Sequence, residues 1–267
     1  MANEQEPNIS QLFDLRGRVS LVTGAGGHLG SALASALAEA GSRIICTSRD
    51  AARATAAATS LPDPNGVNHI GLELNQLDAK SIDRAIDEAN RSVGAIDVLV
   101  NNAHEPLSSD WTDVSADDFN QQLANVTGYF LLARHVRNRA VERSKAASIV
   151  MVGSMYGSVG SYPDAYQDLS PASPAAYHAL KGGVLQLTRH LAVYWAKENV
   201  RVNCLSPGPF PSKSANPQLI ERLKAKSPMG RMGKPQELKG AILLLASDAG
   251  SYITGQNLVV DGGWTAW

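Results

Sequence analysis

The sequence has few cysteines, no excess of either charge and no long apolar run. Its 267 residues include two cysteines, Cys46 and Cys204, and 24 basic residues are matched by 25 acidic ones. Both cysteines stand in apolar, strand-like runs, so we expect buried free thiols rather than a disulfide. The balanced charge argues against a broad nucleic-acid surface, which needs a basic excess. No apolar run approaches the ~18 residues that a membrane helix requires.

The N-terminal segment MANEQEPNIS is polar and has neither the basic nor the apolar region of a signal peptide. We therefore expect a cytoplasmic protein in which residues 1–14 form a flexible tail. No repeat, charge run or linker divides the remainder, and the hydrophobic content of 44% is ordinary for a globular core. Residues 15–267 are thus predicted to form a single domain.

Short aliphatic or β-branched runs alternate with longer helical patterns along the chain. The predicted strands cover residues 18–24, 42–48, 68–74, 95–103, 147–154, 200–206 and 256–263. The predicted helices cover residues 31–41, 50–60, 79–93, 115–143, 173–198 and 235–247, with Ser115 and Ser173 as N-caps and a polar loop before the last helix. Apolar strands that alternate with helices predict an α/β, doubly wound fold of about seven parallel strands, with helices on both faces. Ligands are expected at the carboxyl ends of the strands.

The segment TGAGGHLG, residues 23–30, lies between the first predicted strand and its helix. Gly24, Gly27 and Gly30 are spaced by three, which lets one make the tight bend, one admit a pyrophosphate and one pack helix against strand. Backbone N–H groups at the helix start, around His28 and Leu29, then face the phosphates. The turn therefore predicts a dinucleotide site, with a purely structural tight turn as the alternative.

Tyr177 and Lys181 are four residues apart on a predicted helix, so their side chains share one face. Tyrosine is a poor base at its usual pKa of about 10, and a nearby ammonium group favours the phenolate. Ser154 ends a predicted strand, where its hydroxyl could donate to a substrate carbonyl. The alternative for Ser154 is a polar residue that merely terminates the strand.

From about Leu15 to the C-terminus, the order of these motifs resembles that of the short-chain dehydrogenase/reductase family. The resemblance implies a Rossmann fold and hydride transfer between a nicotinamide cofactor and a secondary alcohol or ketone. It implies that Ser154, Tyr177 and Lys181 are catalytic. It also implies that Asn125, in NVTGYF, completes a tetrad by organising a water-linked proton path, the alternative being a solvated helix residue.

The same resemblance implies further cofactor contacts. VNNA matches a family segment on the adenosine side, which implies Asn102 and Ala103. LSPGPF matches a turn beside the nicotinamide, which implies Pro207 and Gly208. Tyr177 and Lys181 are also expected to contact the cofactor, the lysine through a ribose.

Two histidines depart from the family pattern. His104 stands where the family usually has glycine, and His28 violates the T-G-x-x-x-G-x-G turn of the compact branch. The turn fits the T-G-x-x-G-x-x-G spacing of the longer, nucleotide-sugar-modifying branch. That branch adds a C-terminal substrate domain for which this chain has no room, so the compact branch is preferred. The His28 imidazole either contacts a phosphate or points away from it.

The end of the second predicted strand bears on cofactor choice. Ser48 and Arg49 stand where an acidic residue would select NAD(H), and a hydroxyl with a guanidinium suits a 2′-phosphate. This favours NADP(H) over NAD(H). Against it, Gly27 occupies a position that many NADP-preferring relatives fill with a basic residue, and Asp50 enters the site if the register slips by two. Asn75 is expected to contact the adenine.

The substrate side is predicted from three segments. Ser154 and Tyr177 are 23 positions apart, longer than the usual family spacing, and the intervening loop carries Tyr156, Tyr162 and Tyr166. Residues 209–232 correspond to the mobile substrate loop of the family, in which one cation could meet a carboxylate. Its basic residues are Lys213, Arg222, Lys224, Lys226 and Arg231. Trp264 and Trp267 of the tail are expected either to line the pocket or to form subunit contacts. The tail resembles that of relatives acting on sugar acids and polyols.

Two alternatives to this oxidoreductase stay open. His28 and His104 favour a non-catalytic dinucleotide-binding sensor or scaffold, and the turn spacing favours a nucleotide-sugar epimerase or dehydratase. We expect a small-molecule substrate, no metal, and no nucleic-acid or membrane partner. Helical segments 117–141 and 175–198 could form the subunit contacts of a homodimer or homotetramer.

Overall fold

Seven strands form one parallel sheet in the computed structural model, which describes residues 6–106, 111–169 and 173–266. The strand order is β3–β2–β1–β4–β5–β6–β7. The strands are β1 (Val19–Thr23), β2 (Arg43–Ser48), β3 (Ile70–Glu73), β4 (Val98–Asn101), β5 (Ala147–Val152), β6 (Val200–Pro207) and β7 (Asn257–Val260). The predicted doubly wound sheet is confirmed. Its order reverses between β1 and β4, where the carboxyl ends leave a crevice suited to a ligand.

Helices cover both faces of the sheet. They are α1 (Ile9–Leu12), α2 (Gly30–Glu39), α3 (Ala51–Thr59), α4 (Ala79–Ser92), α5 (Ala116–Glu142), α6 (Pro163–Tyr166), α7 (Ala175–Trp195), α8 (Pro217–Lys226) and α9 (Lys239–Ala246). Short 3₁₀ helices cover Met155–Gly157, Ala196–Glu198, Pro235–Leu238 and Asp248–Gly250. None of the described helices is both long and apolar enough to span a membrane.

The core forms two layers because successive residues of a strand point to opposite faces. Leu99 and Ile149 belong to a buried cluster with α4, α5 and α7, whereas their neighbours Val100 and Val150 pack with α2 and α9. This two-sided burial explains why the strands read as continuous apolar runs. Cys46 and Cys204 are both buried and free, as predicted.

Two predictions about helix ends and loops are wrong. The polar loop predicted after β6 contains the ten-residue helix α8, which begins with the N-cap Asn216 and Pro217. The helix has few apolar residues, so its sequence shows no clear helical periodicity. Ser173 is not the N-cap of α7: the helix follows Pro174 without a side-chain cap, and the Ser173 hydroxyl lies 3.0 Å from Nε2 of His178. The predicted tail, residues 1–14, contains the short helix α1.

Candidate active site

A cleft of about 890 Å³ opens at the carboxyl ends of the central strands. It brings together nearly all of the predicted site residues from seven separate segments of the chain. Those that line it are Gly24, Gly27, His28, Leu29, Gly30, Ser48, Arg49, Asn75, Asn102, Ala103, Ser154, Tyr177, Lys181, Pro207 and Gly208. Asn125 is the exception, since it is fully buried on α5 behind the cleft.

The glycine turn is built for close approach of backbone to backbone. Gly24 adopts a φ of +64°, which favours glycine, and a Cβ at Gly30 would collide with the carbonyl oxygen of Gly24. The Asn102 side chain fixes the turn by donating from Nδ2 to the carbonyl oxygens of Thr23 (2.9 Å) and Gly24 (3.3 Å). The predicted helix-packing role thus falls on Gly30.

The start of α2 fits a phosphate. Its N-cap, Leu29, makes no side-chain capping bond, so first-turn N–H groups are left without a side-chain acceptor beside the cleft. Such groups, with the positive end of the helix dipole, bind anions. His28 is exposed on the cleft wall beside them. The residues present therefore fit the pyrophosphate of a dinucleotide.

The end of β2 resolves the register question. The strand ends at Ser48, and the Asp50 carboxylate caps α3 by accepting from the backbone N–H of Arg53 (2.8 Å). Asp50 is therefore committed to the helix rather than to the cleft. Arg49 reaches across the cleft to Glu105, with 2.6 Å between Nη1 and Oε2. A carboxylate therefore lies near the end of β2, but it belongs to Glu105 in the turn after β4.

Ser154, Tyr177 and Lys181 meet in the inner half of the cleft. The Ser154 hydroxyl is hydrogen-bonded to Tyr177, an interaction that lowers the pKa of the phenol, while burial raises it by more. The Lys181 ammonium lies 5.6 Å from the centroid of the Tyr177 ring and donates to the carbonyl oxygen of Val152 (2.8 Å). Burial lowers the pKa of Lys181 to about 8. The three side chains can hold a carbonyl oxygen and move a proton to or from it.

Asn125 organises the turn that follows β4. Its Oδ1 accepts from Nε2 of Gln76 (2.6 Å) and from the backbone N–H of Glu105 (2.9 Å), and its Nδ2 donates to the carbonyl oxygen of Gln122 (2.8 Å). The side chain is therefore occupied within the protein. Its predicted part in a proton path stays a prediction.

His104 fills space beside the reactive tyrosine. Its ring centroid lies 5.7 Å from that of Tyr177, and its side chain lines the cleft. Burial, assisted by the charge of Lys181, lowers the pKa of His104 to about 4. The imidazole is therefore neutral at physiological pH, where it can both donate and accept a hydrogen bond.

An aromatic wall extends from Tyr177 toward the predicted substrate loop. The hydroxyls of Tyr156 and Tyr166 lie 2.9 Å apart, and Tyr162 meets the buried Trp264 edge-on, with centroids 5.5 Å apart. The three predicted tyrosines thus lie together, and Trp264 is buried against Tyr162. Trp267 lies outside the described residues.

Three residues of the site were missed by the sequence interpretation. Glu105 pairs with Arg49, Gln76 donates to Asn125, and His178 stacks on Tyr156 with centroids 4.7 Å apart. Glu105 and Gln76 follow strands β4 and β3, so their position at strand ends was the available signal. Among the described residues, no group of three or more His, Cys, Asp or Glu side chains is placed to hold a metal ion.

Comparisons with known proteins agree along almost the whole chain. The family model described as "Enoyl-(Acyl carrier protein) reductase" matches residues 24–265. The galactitol 2-dehydrogenase (L-tagatose-forming) of Cereibacter sphaeroides is 36% identical, covering 96% of this chain and 98% of its own length.

Two solved structures show the same agreement in three dimensions. The gluconate 5-dehydrogenase from Burkholderia cenocepacia J2315, in complex with NADP and tartrate, has a TM-score of 0.86 at 31% identity, covering 97% of this chain and all of its own. A short chain dehydrogenase from Leptospira borgpetersenii with bound NAD⁺ has a TM-score of 0.84 at 28% identity, covering 97% of this chain and 96% of its own.

Proposed function

The chain belongs to the short-chain dehydrogenase/reductase family and is an NAD(P)-dependent oxidoreductase acting on CH–OH groups, and we propose that it interconverts a secondary alcohol and a ketone of the sugar or polyol class. The observation that carries the proposal is the convergence of Ser154, Tyr177 and Lys181 in the cleft that the glycine turn also lines. The substrate class is supported by the galactitol 2-dehydrogenase and gluconate 5-dehydrogenase among the similar proteins.

Each of the three side chains has one task in this proposal. Tyr177 gives a proton to the forming alkoxide during reduction and takes it during oxidation. Ser154 holds the substrate oxygen through its hydroxyl and keeps the phenol in place. Lys181 holds a ribose of the cofactor and favours the phenolate by its charge. When bound, the nicotinamide supplies the hydride chemistry.

We propose NADP(H) as the preferred cofactor. Ser48 ends β2 and Arg49 lines the cleft beside it, so a hydroxyl and a guanidinium are available to a 2′-phosphate. Asp50 does not compete, because it caps α3. The Arg49–Glu105 ion pair opposes this preference, since a phosphate must share the guanidinium with a carboxylate.

The assignment of Tyr177 is tested by Tyr177→Phe. Removing the hydroxyl removes the proton donor, so kcat is expected to fall by about 10²–10⁴-fold, the usual contribution of general acid–base catalysis. Cofactor affinity, measured by fluorescence titration, is expected to stay within a factor of about two. Tyr252→Phe, at a fully exposed tyrosine, is the matched control. A Tyr177→Phe enzyme with full activity would refute the assignment.

A further inference from the structure

The side chains around Tyr177 bear on whether the substrate is a neutral polyol or a sugar acid. The wall beside Tyr177 offers the paired hydroxyls of Tyr156 and Tyr166 and the stacked ring of His178. Phenolic hydroxyls both donate and accept hydrogen bonds, and aromatic faces cover apolar C–H surface. These groups suit a chain of carbons that carries many hydroxyls.

Of the three segments that supply side chains around Tyr177 and this wall, two contain no lysine or arginine. Residues 101–133 and 154–180 hold no lysine or arginine, yet they hold five and two acidic residues, respectively. The stretches outside the described ranges, 1–5, 107–110, 170–172 and 267, contain no lysine or arginine either. These two segments therefore offer no lysine or arginine to a substrate carboxylate.

The third segment, 209–232, uses most of its cations internally. The Arg222 guanidinium donates to the carbonyl oxygens of Asp164 (3.2 Å), Ala165 (3.5 Å) and Gln167 (2.5 Å), which ties α8 to α6. Lys226 pairs with the Asp164 carboxylate at 2.6 Å and lies over the Tyr162 ring, 4.8 Å from its centroid.

The remaining cations of that segment lie on the outside. Lys224 pairs with Glu221 and Arg231 with Glu237, and all four side chains are partly or largely exposed. Lys213 is exposed, and no partner is described for it within the ranges that the structure covers. Of the five predicted candidates for binding a carboxylate, Lys213 is thus the one left unpaired by the described contacts.

The other ionisable groups beside Tyr177 do not supply a free positive charge. Burial lowers the pKa of both His104 and His178, so both imidazoles are neutral at pH 7. Lys181 is buried and donates to the carbonyl oxygen of Val152. A carboxylate that enters such a cleft loses its hydration without gaining a charge-assisted partner, which is costly.

We propose that the substrate is an uncharged polyhydroxylated alcohol, or its ketone, and that the site rejects sugar acids by charge. This inference rests on the proposed oxidoreductase function. Neutral hydroxyls find donors and acceptors on the tyrosine wall. A carboxylate finds two segments without lysine or arginine and, apart from the exposed Lys213, cations that are already bound to other groups of the protein.

The test compares oxidation of galactitol with that of D-gluconate, and reduction of L-tagatose with that of 5-keto-D-gluconate, at saturating NADP(H) and NAD(H). The expected result is a kcat/KM for the neutral member of each pair that is at least about 100-fold higher, the scale of the effect when a buried charge is left without its partner. Equal or higher kcat/KM for the acids would overturn the inference. Turnover of simple secondary alcohols without any polyol would overturn it too, yet leave the proposed oxidoreduction standing.

Two variants identify the cause of the discrimination. Asp164→Asn removes the partner of Lys226 and leaves its ammonium free beside Tyr162, so kcat/KM for D-gluconate is expected to rise by about twofold to fivefold. Asp168→Asn, in the same loop, is the matched control: its φ of 63° is tolerated by asparagine, and no ion pair is described for it. A similar rise in both variants would show a general charge effect and contradict the role of Lys226.

Lys213→Ala tests the rival explanation. If Lys213 binds a substrate carboxylate, this change raises KM for acids alone. The inference expects no effect of Lys213→Ala on KM for galactitol or for D-gluconate. No turnover of any compound by a chain that binds cofactor would overturn both this inference and the proposed function.

Discussion

Arg49, which follows β2, and Glu105, which follows β4, form the one ion pair that crosses the cofactor cleft among the described residues. The backbone N–H of Glu105 is held by Asn125, so the carboxylate is positioned from the protein interior while Arg49 is largely exposed. Anions that approach Arg49 therefore meet a fixed negative charge. We therefore expect Glu105 to weaken the binding of a 2′-phosphate to Arg49.

Glu105→Gln tests this role directly. Removing the carboxylate is expected to lower the Kd for NADPH by about threefold to fivefold, the scale of a partly exposed ion pair, and to leave the Kd for NADH unchanged. The difference should shrink at high salt because exposed charges are screened. Titration at two ionic strengths measures both effects. Glu198→Gln, which breaks the remote pair with Arg137, is the control, and an equal shift for both cofactors would contradict the prediction.

Lys181 carries a stability cost that depends on pH. Burial lowers its pKa from 10.5 to about 8, so the unfolded chain binds the proton more tightly than the folded one. The contribution of Lys181 to the free energy of unfolding is therefore lowest below pH 8 and rises as the pH increases toward the pKa of the unfolded chain. Between pH 7 and 9.5 the linkage relation gives a gain of about 2 kcal/mol from this one group.

Lys181→Met removes the titrating group and with it this gain. The free energy of unfolding of the wild type, minus that of Lys181→Met, is expected to rise by about 2 kcal/mol between the two pH values. Urea unfolding at each pH measures it. Lys197→Met, at an exposed lysine, controls for the general effect of pH. A difference that is constant with pH would show that Lys181 is not destabilised by burial.

The β1–α2 turn is the element on which cofactor binding most depends. A Cβ at Gly30 would strike the carbonyl oxygen of Gly24 and lie 2.7 Å from Nδ2 of Asn102. Gly30→Ala must therefore displace the turn, which is expected to weaken binding of both cofactors by at least about tenfold and to cost about 1–3 kcal/mol of stability. Titration and urea unfolding measure the two effects.

Gly240→Ala is the matched control for that substitution. Gly240 lies on the exposed surface of α9, where a Cβ meets nothing within 4 Å. Alanine in a helix is better than glycine by about 0.5–1 kcal/mol, so this variant should be slightly stabilised with unchanged cofactor affinity. Unchanged binding in Gly30→Ala would show that the turn does not need its third glycine.

Sequence patterns predicted the parallel sheet and the cleft residues for a physical reason. Parallel strands bring their carboxyl ends to one edge, so Gly24, Ser48 and Ser154 had to meet once the sheet was inferred. Side-chain partners were not predictable in this way. Arg49 pairs with Glu105 because two loops that are far apart in sequence come together, and the sequence pattern does not give their geometry. The helix α8 has too few apolar residues for its periodicity to be recognised.

The whole molecule leaves apolar side chains uncovered on its two longest helices. Val193 and Tyr194 on α7 are 77% and 69% exposed, and Val141 on α5 is 39% exposed. The packing of α5 against α7 within the chain therefore does not account for them. They support the expectation of a homodimer or homotetramer, because exposed apolar patches commonly mark protein contacts.

Val193→Asp tests the assembly. A charge in a subunit contact is expected to shift the species seen by light scattering to a smaller one, whereas Ile9→Asp, at a largely exposed residue of α1, should not. Cofactor affinity reports whether the fold survives in each variant. A wild-type protein that is monomeric at high concentration would contradict the expectation.

The two cysteines lie on opposite sides of the sheet, Cys46 on β2 and Cys204 on β6. Burial raises the pKa of the Cys46 thiol to about 12 and that of Cys204 to about 11, so neither forms a reactive thiolate in the closed molecule. Alkylation can therefore occur only when the strand that carries the thiol opens to solvent. The alkylation rate of Cys46 therefore reports how often β2 opens, and the rate of Cys204 reports the same for β6. The two thiols thus measure the opening of the two sides of the sheet separately.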